Sequence, residues 1–146
     1  MNDTTLASLS ALESEQAVIG AALYDPETCD IALERLRPDM FFEPYHVAAW
    51  ERIGLSRRTG SPADALVVTQ ALAAHPAAEA FGPGYFTGMV DKAVLWSVTS
   101  HIDTIADRSV RRQVQTLARR SPAAAMTFWT AQETSCWPNW SAGPPM

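Results

Sequence analysis

Three histidines, two closely spaced glutamates, two cysteines and a late run of arginines are the side chains whose types could do chemistry in this chain of 146 residues. Their spacing argues against most of it. His46, His75 and His101 are far apart and have no cysteine or carboxylate at metal-ligand spacing, so each reads as an ordinary surface or core-edge residue. Glu13 and Glu15 diverge on a helix and make a poor acid–base pair. Gln16 falls in an apolar arc, where bonding to a neighbouring backbone group is expected. Cys29 and Cys136 fit no redox or metal motif and read as reduced thiols. A phosphate-binding loop needs a glycine-rich turn ending in Gly-Lys-Ser/Thr, whose amides and lysine neutralise phosphates. The chain has a single lysine, in Asp91-Lys92-Ala93, and Gly82-Pro83-Gly84 runs into Tyr85. Unaided ATP-driven work is therefore not expected, nor is a metal or cofactor. What is left is Arg108, Arg111, Arg112 and Arg119, a candidate interface, although Asp107 and Arg111 stand at a spacing that also suits a solvated helix face.

Charge is unevenly distributed. The formal net charge is −5. Up to residue 50, nine acidic residues from Asp3 to Glu43 face only Arg35 and Arg37, whereas between 107 and 120 five arginines oppose only Asp107. Attraction to an anionic partner would come from the later segment. With 47% hydrophobic residues the chain can fill one domain core. No apolar run approaches the roughly 18 residues of a membrane span, and Met1-Asn2-Asp3-Thr4-Thr5 is unlike a secretory leader. A soluble cytoplasmic protein is the expectation.

The elements that must position these side chains read as helices. Ser10 and Glu13 form a capping box that predicts a helix start near Ala11. Leu12, Ile19 and Leu23 then align with Val18 and Ala22, while Glu13, Ser14 and Ala21 point away. Asp25-Pro26-Glu27 starts a second helix reaching Leu36 or Arg37, where Pro38 stops it. Met40-Phe41-Phe42 is expected to plug the core. Glu43-Pro44 opens a third helix with Val47, Trp50, Ile53 and Gly54 on one side and His46 at its edge. After a loop through Gly60-Ser61-Pro62, Ser61 or Asp64 caps a short fourth helix to about Ala74, either well buried or misread, because Leu66, Val67, Val68 and Leu72 surround it. Tyr85-Phe86 leads a fifth helix to about Ala93. A last helix from His101 to Arg120 carries the stripe Ile102, Ile105, Ala106, Ser109, Val110, Gln113 and Leu117, with Arg108, Arg112 and Arg119 on one flank. Tyr85, Phe86 and Trp96 read as core. No strand alternation or internal repeat emerges, so the predicted fold is all-α, a compact multi-helix bundle.

The order Leu12-Glu13-Ser14-Glu15-Gln16-Ala17-Val18-Ile19-Gly20, Asp25-Pro26-Glu27, Arg37-Pro38-Asp39-Met40-Phe41-Phe42 through His46, Gly60-Ser61-Pro62 and Asp107-Arg108-Ser109-Val110-Arg111-Arg112 resembles the amino-terminal domain of DnaB-type replicative DNA helicases. The resemblance spans roughly the first 120 residues and is most specific in its first third. Residues 1–9 are expected to be a flexible N-terminus, 10–120 the helical domain, and 121–146 a divergent, disordered tail. In that family, the resemblance implies, the domain forms a collar on a hexameric ring by pairing between subunits. It contacts primase and loading factors, and a linker joins it to a RecA-like motor that holds the ATP and most DNA contacts. The implied role is non-catalytic, with partners among helicase subunits, a second copy, primase or a loader, and with DNA only weakly or indirectly.

The helix bearing Arg108, Arg111 and Arg112 corresponds to the first arm of that family's helical hairpin. Where the second arm belongs, this chain continues Ser121-Pro122-Ala123 and ends rich in tryptophan and proline: Trp129, Trp137, Trp140, Pro138, Pro144 and Pro145. Two readings of this tail stay open, a foreign or frame-shifted end that leaves the hairpin incomplete, and a flexible tail with exposed aromatics. Two alternatives to the helicase collar also stay open: a small nucleic-acid-binding protein using the arginine-rich last helix, and a non-functional fragment of a helicase gene.

Overall fold

Asp25 and Asp64 accept hydrogen bonds from the backbone N–H of Thr28 (2.9 Å) and Val67 (2.8 Å), and these two caps fix where α2 (Pro26–Arg35) and α4 (Ala65–Ala71) begin. The computed structural model describes residues 3–120, with side chains from Ala11 onward. Its other helices are α1 (Asp3–Tyr24), α3 (Pro44–Arg58), α5 (Ala78–Phe81), α6 (Tyr85–Asp91) and α7 (Val98–Arg120), with single 3-10 turns at Pro38–Met40 and Leu95–Ser97. Among the described residues there is no strand. The fold is all-α, as the periodicity predicts. The chain divides into a unit Met1–Ser109 and a unit Val110–Met146, with α7 supplying helix to each. The expectations for the tail lie outside the described residues.

α1 departs from its expected form. It begins at Asp3, so Ser10 and Glu13 sit inside it and no capping box opens it. It is also not amphipathic over its second half: Ser14, Glu15 and Ala21 are buried together with Val18, Ile19, Ala22 and Leu23. The reason is that α1 is enclosed by α2, α3 and α6, and a helix covered on several sides loses the one-face pattern. Gly20 explains how close α6 comes. A Cβ built there would lie 2.5 Å from the Met89 carbonyl oxygen and 2.9 Å from its carbon, so only hydrogen fits between the two backbones.

α2 and α3 fall where Asp25-Pro26 and Glu43-Pro44 place them, Glu43 capping α3 through the Tyr45 N–H at 3.3 Å. Trp50 is buried on α3, donates its indole N–H to the Leu36 carbonyl (3.0 Å) and packs on Phe41 at 5.1 Å between ring centroids. Phe41 plugs the core with Met40 packed partly buried against it, whereas Phe42 is exposed. α4 is a helix, and a partly buried one: Val68 and Leu72 point inward while Leu66 is exposed. α5 was not evident in the sequence. It carries Phe81, whose ring stacks on Tyr45 at 4.9 Å and 9°. α7 starts three residues before His101, at Val98, and buries Val98, Ile102, Ile105 and Ser109.

Because the obstacle at Gly20 is backbone and not a mobile side-chain tip, Gly20→Ala must push α6 away from α1. An expected loss of about 1–3 kcal/mol is measurable by chemical denaturation. An unchanged midpoint would show that the two helices are not held at this distance.

Candidate interaction surfaces and a buried polar centre

Glu15 is 1% exposed, which demands partners for its carboxylate. They come from the start of α3: Phe42 N–H donates to Oε2 at 2.6 Å and Glu43 N–H to Oε1 at 3.3 Å, so the carboxylate also sits at the positive end of that helix. One turn into α3, His46 Nδ1 lies 2.7 Å from Glu15 Oε1, and its Nε2 lies 2.7 Å from the hydroxyl of Tyr85 on α6. Gln16 Nε2 donates to the same hydroxyl at 3.1 Å. Desolvation pushes the Tyr85 phenol above its ordinary value, opposed by the Gln16 hydrogen bond and reinforced by nearby Glu43 and Glu15. The phenol therefore keeps its proton.

Two expectations are corrected here. His46 is fully buried and not at the edge of α3, because Glu15 draws it inward. Gln16 bonds to a side chain rather than to backbone, since Tyr85 is brought beside it by the close approach of α6. The other histidines also have local partners. His75 Nδ1 accepts from the Ala77 N–H (3.1 Å), and His101 Nδ1 lies 3.2 Å from Ser14 Oγ. Nothing in local spacing could have revealed the Glu15–His46 pair, which is separated by 31 positions.

A second polar tie joins α2 to α3. Arg57 makes two 2.8 Å hydrogen bonds to the carboxylate of Asp30, and this raises the guanidinium and lowers the carboxyl from their ordinary values. Burial pushes the neighbouring Cys29 thiol up to about 11, which keeps it an inert thiol at neutral pH. Arg35 pairs with Asp103 across to α7. Between α2 and α3 lies a groove of about 670 Å³, floored by Leu33, Leu36, Trp50 and Gly54 and rimmed by charges of both signs.

The outer surface carries the groups suited to contacts. Trp96, expected in the core, is 89% exposed in the turn before α7, beside exposed Val94 and Leu95. The short 3-10 turn holds that segment outside the helices that would have covered it. Arg108 is half-buried on α7 in the first unit. In the second unit Arg111 and Arg119 are exposed and Arg112 is half-buried, and Arg111 and Arg112 are each already engaged by an interaction. Among the described residues no helix is long and apolar enough to cross a membrane.

Residues 7–107 match the family model described as "DnaB-like helicase N terminal domain". The chain belongs to this family. A relative, the replicative DNA helicase DnaB of Rhodothermus marinus, is 30% identical over 109 residues, covering 73% of this chain and 12% of that protein. The chain thus spans about an eighth of the length of that curated relative. The crystal structure of the N-terminal domain of DnaB helicase from Mycobacterium tuberculosis superposes with a TM-score of 0.67 at 25% identity, over 75% of this chain and 80% of that one. The segments named in the sequence lie on the buried polar centre: Glu15-Gln16 and Phe42-to-His46 supply five of its participants, Glu15, Gln16, Phe42, Glu43 and His46, and Gly20 sets the α1–α6 distance.

Replacing Glu15 by leucine keeps the volume and removes the acceptor, stranding two backbone N–H groups and a histidine. The expected loss is about 3–5 kcal/mol, against about 1–3 kcal/mol for Glu15→Gln, which retains an acceptor oxygen. Equilibrium urea unfolding of both variants checks the ranking, and a leucine variant as stable as the parent would mean the carboxylate holds nothing together.

Proposed function

We propose that this chain acts as a non-catalytic interaction domain of a replicative DNA helicase, in the cytoplasm, through contacts with helicase subunits or a second copy of itself, and with primase or a helicase loader. The observation that supports this most directly is the extent of the match, 80% of a solved helicase N-terminal domain, which is a domain-sized likeness rather than a shared motif. The chemistry agrees. The close carboxylate–imidazole pair of Glu15 and His46 is sealed in the core, where it braces helices. Groups exposed to solvent, Trp96 with Arg111 and Arg119 on α7, are of the types that dominate the energetics of protein contacts.

Within this reading Arg108 in the first unit and Arg111, Arg112 and Arg119 in the second are contact residues. The same arginine-rich stretch also supports a second reading, binding of nucleic acid, because basic residues concentrate between 107 and 120 in an otherwise acidic chain.

Light scattering coupled to size-exclusion chromatography, alone and mixed with a replicative helicase from the same source, tests the proposal. Self-association or co-elution is expected, with no ATP turnover by the chain itself. A strict monomer that binds neither helicase nor primase, or ATP turnover by the purified chain, would overturn it. Arg111→Glu combined with Arg119→Glu is expected to weaken the contact about tenfold, or about 1.4 kcal/mol. The nucleic-acid reading requires a DNA affinity that falls steeply with salt, and a flat response removes it.

A further inference from the structure

The hydrogen bonds that begin at Gln16 and end on Glu15 can be satisfied in only one direction while Glu15 is a carboxylate. Its two oxygens face the N–H groups of Phe42 and Glu43 and the Nδ1 of His46. A carboxylate accepts only, so the proton of the imidazole is on Nδ1. Nε2 then has a lone pair directed at Tyr85, whose hydroxyl donates to it while accepting from Gln16. In that direction the Gln16 amide nitrogen, the Tyr85 hydroxyl and the His46 Nδ1–H each donate to the next member of the chain, and the imidazole and phenol rings lie within 10° of parallel.

We propose that this chain is a proton-operated switch in which the charge of His46 sets the direction of the Tyr85 hydroxyl. A proton taken from solvent occupies the Nε2 lone pair, and the buried Glu15–His46 pair passes from a net charge of −1 to zero. The new N–H now donates to the Tyr85 oxygen. That oxygen still accepts from Gln16, so its own hydrogen, still covalently bound, must rotate away from the imidazole. Outside lies a groove of about 390 Å³ between α1 and α6, lined by Glu13, Gln16, Ala17, Tyr85, Gly88 and Lys92. Glu13 and Gln16, both on its lining, carry oxygens of acceptor type. Proton uptake in the core thus turns the phenol from a group satisfied inward into a donor presented to the groove.

The other groups around the pair leave this logic intact. Glu43, on the α3 side, is occupied as a helix cap. Tyr45 packs by its ring face on Tyr85, with centroids 5.9 Å apart, and on His75 at 5.2 Å, while Phe81 closes over His46 at 6.4 Å. Lys92 and Glu13 bring one charge of each sign to the groove. Desolvation and the nearby carboxylates hold the Tyr85 proton in place, so the phenol is reoriented and not ionised. The inference stands on geometry within the first unit and does not depend on which partner the domain meets.

Nuclear magnetic resonance of the full chain tests it, using long-range hydrogen–nitrogen correlation of the histidine rings and carbon labelling of the tyrosines. Signals are assigned with His75→Gln, His101→Gln and Tyr85→Phe. At about pH 8 the expected pattern for His46 is a protonated Nδ1 and a pyridine-type Nε2. Lowering the pH toward about 5, the range in which histidines change charge, should convert Nε2 to a protonated nitrogen and move the Tyr85 Cζ signal in the same transition. A proton on Nε2 at about pH 8, a His46 that keeps one charge state throughout, or a Tyr85 signal indifferent to it would each overturn the switch.

Discussion

Burying one carboxylate constrains the rest of the first unit. An ion without partners in an apolar interior costs several kcal/mol, so α1 can place Glu15 in the core only if donors are brought to it. The two residues that lead into α3 supply them, through the backbone N–H groups of Phe42 and of the cap residue Glu43. Meeting that need fixes where α3 starts and how it is aimed. His46 follows one turn later as the third donor, and Tyr85 then ties α6 to the same centre. Asp25 and Asp64 use the same chemistry at exposed helix starts. There water competes, and each cap fixes only its own helix.

Close packing supplies the complementary constraint. The Tyr85 hydroxyl reaches both His46 and Gln16 only because α6 lies against α1, and that approach is possible because Gly20 presents no side chain to the Met89 backbone. Small and polar residues on α1 thus act as structural residues of the core. A helix contacted by α2, α3 and α6 buries residues on more than one face over its second half, which is why its hydrophobic periodicity misled the reading of Ser14 and Ala21.

What could be read in the sequence was local. Asp25-Pro26, Glu43-Pro44 and Asp64 each mark a helix start through atoms within three residues of one another, and all three starts fall where those residues place them. The stripe Ile102, Ile105, Ser109 was legible for the same reason. The pairing of Glu15 with His46 was not, because it depends on a tertiary approach between positions 31 apart. Nor was the exposure of Trp96: hydrophobicity says that a side chain gains by burial, and only the turn at Leu95–Ser97 decides that no helix covers it. α5 is one turn long, too short to set up a period, and its Phe81 is recruited by the Tyr45 cluster.

The polar centre and the contact surface divide the labour of the domain. Residues that hold helices together, Glu15, His46, Trp50 and Phe86, are all but inaccessible, so no partner can reach them without unfolding the unit. Residues that could meet a partner, Trp96 and Arg119 among them, contribute little to the core and are free to vary without cost to the fold. Tyr85, with Gln16 beside it, belongs to both sets, with its oxygen in the chain of hydrogen bonds and its residue on the lining of the α1–α6 groove. It is therefore the place where a change of charge in the interior can be felt at the surface without any movement of a helix, since rotation of one O–H bond is enough.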